Sequence, residues 1–195
     1  NPALYGIQNL SAVIILSEIE HGFPIAFMEG TLCSNIRVGT MGAIAAKYLA
    51  RADSETIGFI GAGEQAKMHL IAMKTVLPSL NECRVAAKTM EEENQFVKEM
   101  QPILPDVDIV TTAGDLEKSM TGADVIVTAT SAQAPLLKSK WMKEGSFYSH
   151  VGGWEDEYDV ALSCNKIVCD DLDTCLEFQY DSDSNTTKCK KWGKE

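Results

Sequence analysis

The sequence predicts an α/β fold with a doubly wound parallel sheet, preceded by a fragment of a second α+β domain. Three observations lead to this prediction: a strand hairpin opens the chain, short apolar strands then alternate with helices, and a glycine-rich turn joins one strand to its helix. The 195 residues suffice for one such domain and part of another. We expect the partial domain over residues 1–35, the sheet domain over 36–173, and a tail of unknown structure over 174–195.

The first predicted elements are a hairpin and a helix. Residues 11–17 are apolar and β-branched, residues 18–23 have the glycine and polar side chains of a turn, and residues 24–31 return as a second strand. The segment 31–35 is expected to cap the next element. Residues 38–51 are rich in alanine and have apolar side chains at helical spacing, which predicts a helix.

The rest of the chain alternates strands with helices, as is typical of a parallel sheet covered on both faces. In chain order, the predicted strands are "TIGFIG", "CRVAAK", "VDIVTTA", "ADVIVTAT", "SFYSHVG" and "KIVCDD". The predicted helices are Glu64–Val76, Met90–Met100, Asp115–Met120, a helix or turn in "LLKSKWMKEG" and a short helix in "VALSCN".

Composition argues against several classes of function. The net charge of −11, from 17 basic and 28 acidic residues, disfavours a nucleic-acid-binding surface. No apolar run approaches the roughly 20 residues that span a bilayer, and the first ten residues do not resemble a secretory signal. The six cysteines form no CxxC pair, so we expect reduced, buried thiols and no metal site. A cytoplasmic protein that binds neither nucleic acid nor membrane is the resulting expectation.

The turn from Gly61 to Ala66 fits the pattern G-x-G-x-x-G/A, with alanine in the third place. Gly61 would permit the tight turn, Gly63 would let a pyrophosphate approach the backbone, and Ala66 would let helix and strand pack closely. Because the turn follows a buried strand and opens a helix, it predicts a Rossmann-type NAD(P) site, with a purely structural turn as the alternative. The expected cofactor contacts in this turn are Gly61, Ala62, Gly63, Glu64 and Gln65.

The end of the next strand bears on the choice of cofactor. NAD-binding proteins place a carboxylate there for the ribose, whereas NADP-binding proteins use a basic residue for the 2′-phosphate. This chain has Lys88 and Thr89 at that point, and no carboxylate before Glu91. We therefore expect both residues to contact the cofactor and NADP to be preferred, with NAD as the alternative. Lys88 could equally be a solvated surface residue.

The segment that leaves the fourth strand of the alternating region is rich in hydroxyl groups. Ligands of open α/β sheets bind at the carboxyl ends of strands. Thr128, Ala129, Thr130 and Ser131 are therefore expected to contact the ribose or the nicotinamide, with a plain turn as the alternative.

Five motifs together resemble the ornithine cyclodeaminase/μ-crystallin family. The resemblance covers roughly residues 11–173, and the motifs read "GFPIAFMEGT", "RVGTMGAIAAKYLAR", "IGFIGAGEQA", "GADVIVTATS" and "KIVCDD". The resemblance implies an NAD(P)-dependent enzyme that transfers a hydride at an amino-acid α-carbon by way of an imine. It implies a small amino-acid or imine substrate and a homodimer whose substrate domain is built from both chain ends. The family includes cyclodeaminases, ketimine reductases, alanine dehydrogenases and opine-type enzymes, so the substrate stays open.

The resemblance also assigns roles to individual residues. Arg37 matches the arginine that grips the substrate carboxylate, whereas Val38 stands where the family usually has a threonine that contacts phosphate. Cyclodeaminases carry a Gly-Ala-Asp near residues 150–159, and that aspartate moves protons. Asp156 or Glu155 is expected to substitute for it, and the alternative is a solvated acidic loop.

The family's full chain is longer and supplies a catalytic lysine upstream, so we expect this chain to be incomplete at both ends. A protein that binds NADP(H) without turnover, as crystallin-like members do, is the second hypothesis.

Overall fold

The computed structural model describes residues 10–169 and two short strands, Tyr180–Asp181 and Thr186–Thr187. The chain divides into two compact units, Asn1–Val160 and Ala161–Glu195. The first unit contains both the hairpin and the parallel sheet. The predicted domain bounds at residues 35 and 173 stay predictions.

An antiparallel hairpin begins the first unit, as the sequence predicts. Strand β1 (Val13–Ser17) pairs with β2 (Pro24–Glu29). Most apolar side chains of this hairpin are exposed, among them Val13 (69%) and Phe27 (69%). The hairpin therefore presents apolar surface that the first unit itself does not cover.

Helix α1 (Thr31–Leu49) begins seven residues before the predicted start at residue 38. The segment 31–35 is part of the helix rather than a cap before it. A carboxylate outside the helix explains the early start, because Glu29 accepts the N–H of Thr31 at 2.5 Å and of Leu32 at 3.5 Å. The buried face repeats every three to four residues from the new start, through Thr31, Asn35, Gly39, Ala43 and Ala46.

Five parallel strands form the main sheet. Strands β3 (Thr56–Ile60), β4 (Glu82–Ala86), β5 (Asp108–Thr111), β6 (Val125–Thr128) and, after a further strand β7 described below, β8 (Phe147–His150) lie in the order β5-β4-β3-β6-β8. Helices α2 (Glu64–Val76), α3 (Met90–Met100) and α4 (Leu116–Met120) connect them. The carboxyl ends of all five strands meet at one edge, where Ile60 and Thr128 are register partners, as are Thr128 and His150.

A second, two-stranded parallel sheet differs from the sequence prediction. Strand β7 (Gln133–Leu137) pairs with β9 (Trp154–Asp156), where a helix or turn and an acidic loop were expected. This pairing joins segments about 20 residues apart and has only two register pairs, Gln133 with Trp154 and Leu137 with Asp156. Neither strand alternates apolar and polar side chains clearly enough to reveal it. A 3-10 turn (Ser139–Trp141) follows β7.

The predicted sixth strand is wrong over its described part. Lys166–Cys169 forms no strand, and the side chains of Ile167 and Val168 are exposed. Asp170 and Asp171 lie outside the described residues. The apolar letters alone suggested a buried strand, but no described strand pairs with them. Cys169 is likewise exposed, whereas Cys83 is buried as expected.

The second unit contains short elements of its own. Helix α5 (Tyr158–Ser163) crosses the division between the units and starts two residues before the prediction. Strands β10 (Tyr180–Asp181) and β11 (Thr186–Thr187) pair antiparallel within the segment predicted as a tail of unknown structure. Among the residues that the structure describes, no helix is both long enough and apolar enough to cross a bilayer.

Two apolar clusters support the main sheet. The larger one holds Phe59, Leu70 and Phe96, and the smaller holds Ile60, Met120 and Ile126. Since neighbouring residues of β3, Phe59 and Ile60, face opposite clusters, the sheet is covered on both faces. Because the two clusters cover the faces of the sheet, they leave uncovered the edge where the carboxyl ends of the strands meet.

Candidate functional site

The glycine turn lies in the middle of the carboxyl edge, directly after β3. Gly61 has φ +105°, and a Cβ there would overlap the carbonyl oxygen of Ala129. Gly61 also donates its N–H to Ala86 O at 2.8 Å, which ties the turn to the end of β4. Ala66 is fully buried against the core. Gly61 and Ala66 are thus explained by the chain's own packing.

Gly63 is different, because nothing in the described chain requires a glycine there. Its φ is −80°, and a Cβ at this position would meet no atom within 4 Å. The open space in front of Gly63 is the approach that a pyrophosphate needs in a dinucleotide-binding turn. Gly63 also caps the start of α2 with no side-chain hydrogen bond.

The free N-terminus of α2 contrasts with the neighbouring helices. Thr89 caps α3 through a hydrogen bond from Glu92 N at 3.3 Å, and Asp115 caps α4 through one from Lys118 N at 3.0 Å. No described side chain performs this task for α2. The first N–H groups of α2 and the positive end of its dipole therefore face the space at Gly63, an arrangement that binds phosphate.

The predicted contacts at the end of β4 lie beside this turn. Lys88 is exposed, and Thr89 uses its hydroxyl group to cap α3. Glu91 is exposed in the first turn of α3, as the sequence suggests. Lys88 is thus open to a ligand, whereas the hydroxyl oxygen of Thr89 is already engaged as the cap of α3.

Sequence reasoning missed a fully buried glutamate, Glu93, beneath this end of the edge. Its Oε1 accepts the N–H groups of Ala87 at 3.0 Å and Gly114 at 2.7 Å. Its Oε2 accepts those of Thr112 and Ala113, each at 2.9 Å. One carboxylate thereby fixes the segments that follow β4 and β5. We call this arrangement the Glu93 cage.

The backbone that follows β5 adopts a conformation that lets its N–H groups bind the Glu93 carboxylate. Ala113 and Gly114 have φ values of +57° and +75°, which turn successive N–H groups towards one anion. A sequence signal did exist, since Glu93 lies on the same helical stripe as the buried Phe96 and Met100. Glu91 and Glu92 obscure this signal, because they precede Glu93 in one acidic run and are both exposed.

The segment after β6 carries the other predicted cofactor contacts. Thr128 is fully buried, and its hydroxyl group bonds Tyr148 Oη at 2.9 Å rather than facing open space. Thr130 accepts the N–H of Ala132 at 3.1 Å, and Ser131 is exposed. Ala129 packs over Gly61, as described above. The backbone of 129–131 thus borders the turn, and Ser131 offers the free hydroxyl group.

Glu155, a predicted catalytic residue, is also fully buried. Its Oε1 accepts Thr130 N at 2.5 Å, and its Oε2 accepts Gly152 N at 2.6 Å. A Cβ on Gly152 would overlap this carboxylate, so a glycine is required there. Both oxygens are engaged by main chain, and Glu155 joins the segments that follow β6 and β8.

Asp156, the other predicted catalytic residue, lies in a cluster of polar side chains at the same end. Tyr148 donates to Asp156 Oδ1 at 3.3 Å, and His150 Nδ1 lies 3.4 Å from the same oxygen. The rings of Tyr148 and His150 stack with centroids 5.9 Å apart. Burial raises the pKa of Tyr148 above its usual value, and the nearby Asp156 and Glu155 charges add to the increase, although its bond with Thr128 opposes it. The phenol therefore stays protonated.

The predicted substrate arginine lies on α1. Arg37 is exposed, two residues beyond the buried Asn35. Gln65 of the glycine turn donates to Asn35 Oδ1 at 2.9 Å, so the turn and α1 are joined by a side-chain bond. Val38 is half-buried and offers no hydroxyl group.

Comparison with known proteins agrees with this geometry. The model of the ornithine cyclodeaminase/mu-crystallin family matches residues 1–161. An alanine dehydrogenase of Archaeoglobus fulgidus is 35% identical over 172 residues, which are 86% of this chain and 52% of that protein.

Two solved structures have the same fold. The Δ1-pyrroline-2-carboxylate reductase of Thermococcus litoralis, in complex with NADH and L-proline, superposes with a TM-score of 0.76 at 31% identity and covers 81% of this chain and 50% of its own. An archaeal alanine dehydrogenase dimer with bound NAD superposes with a TM-score of 0.65 at 32% identity and covers 75% and 44%. The chain spans about half the length of the curated relatives it matches.

Proposed function

The chain belongs to the ornithine cyclodeaminase/mu-crystallin family, and we propose that it binds a nicotinamide dinucleotide and transfers a hydride at the α-carbon of a small amino acid by way of an imine. One observation carries the proposal. Gly63 leaves open space in front of the N-terminus of α2. In α1, α3 and α4 a carboxylate or hydroxyl group accepts one of the first N–H groups of the helix. Among these four helices, only α2 has no such acceptor from the described side chains. This is a phosphate site that the protein itself does not fill.

The cofactor would lie along the carboxyl edge of the sheet. Its pyrophosphate would meet the backbone of residues 61–65, including Ala62 and Glu64. In Rossmann folds the ribose of adenosine is bound at the end of the second strand, here β4, which assigns the Glu93 cage to the adenosine side and the β6 and β8 ends to the nicotinamide side. The bound cofactor supplies or accepts the hydride, and the chain holds and orients the reactants.

The residues around the nicotinamide side would handle the substrate. Arg37 would bind the substrate carboxylate through its guanidinium fork. Of the two predicted acid–base residues, the proposal keeps Asp156 among the side chains that serve proton transfer. Glu155 is assigned a positioning role instead, because it is fully buried and both of its oxygens accept main-chain N–H groups.

A preference for NADP(H) is part of the proposal, on the strength of Lys88. Its exposed ammonium group follows β4, where the 2′-phosphate of NADP would lie, and no carboxylate precedes Glu91. The relatives solved with cofactor contain NADH or NAD, so both cofactors belong in the test.

A homodimer is the proposed assembly, supported by the exposed apolar hairpin. Isolated two-stranded hairpins are marginal in water, and large exposed apolar patches mark interaction surfaces. Ile25 is 62% exposed and lies two residues before Phe27 in β2, while Val13 lies at the other end of the hairpin. Light scattering coupled to size exclusion should give twice the chain mass, and Phe27→Glu should shift it to one chain mass. A wild-type monomer at micromolar concentration would contradict the assembly.

The function is tested by cofactor binding followed by turnover. Fluorescence titration with NADPH and NADH should give saturable binding. Absorbance at 340 nm should then fall when Δ1-pyrroline-2-carboxylate, or pyruvate with ammonia, is added to the reduced cofactor. It should rise with L-proline or L-alanine and the oxidised cofactor. Because a cyclodeaminase returns the hydride and regenerates its cofactor, turnover of L-ornithine is measured by the release of ammonia instead. Binding with neither an absorbance change nor ammonia release would favour the non-catalytic alternative, and the absence of binding would overturn both.

A further inference from the structure

The chain has three histidines, and the structure places them in three different settings. His69 is fully buried on α2, where its Nδ1 lies 2.8 Å from Gln65 O. Burial lowers the pKa of His69 more than this bond raises it, so its ring stays neutral. His21 pairs with Glu18 at 2.9 Å on the exposed hairpin turn. His150 alone lies at the carboxyl edge of the main sheet.

His150 ends a chain of contacts between side chains. Thr128 bonds Tyr148, Tyr148 donates to Asp156, and Asp156 faces His150 Nδ1 at 3.4 Å. The side chain of His150 is 38% exposed, whereas that of Asp156 is 16% exposed. In this series of contacts, the imidazole is therefore more exposed to solvent than its carboxylate partner. A base oriented by a carboxylate is a recurring arrangement for proton transfer.

A carboxylate faces each ring nitrogen of His150, at different distances. Nδ1 lies 3.4 Å from Asp156 Oδ1, and Nε2 lies 4.0 Å from Glu155 Oε2, which already accepts Gly152 N. The closer carboxylate favours the tautomer of the neutral ring that has its proton on Nδ1, which places the lone pair on Nε2. The ring of Tyr148, which stays protonated, stacks on the imidazole and limits its rotation.

We propose that His150, oriented by Asp156, is the catalytic residue that exchanges the proton on the substrate nitrogen; this rests on the proposed function. In the reductive direction the imine carbon gains the hydride and its two electrons. The electron pair of the C=N π bond becomes the lone pair of nitrogen, which takes the proton from Nε2 of the imidazolium. The imidazole then recovers a proton from solvent. In the oxidative direction neutral Nε2 accepts the proton from the amine.

In this assignment, His150 takes the proton-transfer role that the family resemblance gives to an aspartate in this region. Neither Asp156 nor Glu155 is the outermost group, and the Tyr148 phenol does not ionise in the working pH range. An imidazole is the side chain that both gives and takes a proton near neutral pH. Asp156 is therefore a positioning residue that acts through His150.

The first test locates His150 by NMR and does not depend on turnover. Comparison with His150→Gln assigns the ring Cε1–H signal among the three histidines. Saturation with NADPH should shift this signal and produce a nuclear Overhauser contact with nicotinamide protons. The His21 signal, from the matched histidine–carboxylate pair on the hairpin, should stay unchanged. An unshifted His150 signal in a chain that binds NADPH would overturn the placement while leaving cofactor binding intact.

The second test measures proton transfer in the imine-reduction assay. His150→Ala should lower kcat by roughly 10²- to 10⁴-fold and leave the NADPH dissociation constant within about threefold. Added imidazole should restore at least tenfold of the lost rate, which loss of a merely structural side chain would not allow. Asp156→Asn should lower kcat less and alter the pH profile, and His21→Ala should change nothing.

The outcomes separate the inference from the function it rests on. Wild-type turnover with a fully active His150→Ala variant overturns the proton role alone. A wild-type chain that binds NADPH but reduces no imine contradicts the proposed activity and the proton role together. A variant without rescue by imidazole, and with a weakened NADPH affinity, identifies a structural side chain and also overturns the proposal.

Discussion

Two fully buried glutamates stand on either side of the glycine turn, and they are held differently. Glu93 joins the segments after β4 and β5 and accepts four main-chain N–H groups. Glu155 joins the segments after β6 and β8 and accepts two. Titratable side chains lie beside the second of them, since His150 Nε2 lies 4.0 Å from Glu155 Oε2 and Asp156 follows Glu155 in β9.

In the proposed function, the carboxyl edge of the sheet therefore has a part near Glu93 that only binds a ligand and a part near Glu155 where the reaction takes place. Four N–H groups satisfy both oxygens of Glu93 within the fold, and such an anchor suits the proposed adenosine side, where a ligand would be bound and not changed. On the proposed nicotinamide side the anchor has two N–H groups, and the polar side chains around it would exchange protons with a ligand. The open space at Gly63 lies between these two sides. Five measurements test this account.

The largest effect should come from Glu93→Gln. An amide group directs its own N–H towards two of the four main-chain donors and leaves them buried without acceptors, at about 1–3 kcal/mol each. We expect a loss of about 3–5 kcal/mol in the free energy of unfolding, measured by urea denaturation. Glu91→Gln, an exposed neighbour in the same helix, serves as the matched control. A loss below about 1 kcal/mol in the free energy of unfolding would contradict the role of Glu93 as the stronger anchor.

Glu155→Gln should cost less, because the amide oxygen can keep one of two N–H groups. We expect a loss of about 1–3 kcal/mol by the same denaturation experiment, with Glu157→Gln as control. Cofactor affinity should fall as well, since Thr130 and Gly152 lose their common anchor. If this variant proved less stable than Glu93→Gln, the ranking of the two anchors would be reversed.

Asp124 is a carboxylate paired with cations, and we expect its ionisation to make the stability of the fold depend on pH. Burial alone would raise its pKa, but Lys143 at 2.6 Å and the N–H groups of Glu55 and Thr56 outweigh burial and lower it. A lowered pKa stabilises the fold above the ordinary Asp value near 3.9, and this contribution is lost as the pH falls through the folded value. The stability advantage of wild type over Asp124→Asn should therefore shrink below about pH 4. A constant difference from pH 7 to pH 3 would contradict this account.

The smallest expected effect concerns the adenosine side. Lys88→Asp should reduce the preference for NADPH over NADH by about fivefold, since one cation contributes about 1 kcal/mol at an exposed phosphate. Fluorescence titration of both cofactors measures it, with Lys98→Asp on the far end of α3 as control. If the parent chain already binds NADH better, the assignment of Lys88 is wrong.

Sequence reasoning located the elements whose ends carry local signals. The bounds of α2 and α3 are confirmed, because Gly63 marks one start and the Thr89 and Glu92 capping box marks the other. The start of α1 was misplaced because its first N–H groups are satisfied by Glu29, two residues outside the helix.

The parts of the site that depend on distant contacts could not be predicted in this way. An acidic run has the same letters whether its members are solvated or buried, so Glu93 was overlooked and Glu155 was expected to move protons. The β7–β9 pair escaped notice for the same reason, since its register depends on residues about 20 positions apart. The alignment of Asp156 with His150 follows directly from that pair.

The central claim is that the space in front of Gly63 is kept open for a pyrophosphate. The most direct test is the NADPH dissociation constant of Gly63→Val, together with its melting temperature. Since a Cβ there meets no atom of the described chain, we expect only the small fall in melting temperature that a poorer N-cap residue causes, and an affinity reduced at least tenfold. Gly61→Ala, which overlaps Ala129, should lower the melting temperature instead. An unchanged NADPH affinity in a folded Gly63→Val variant would contradict the account.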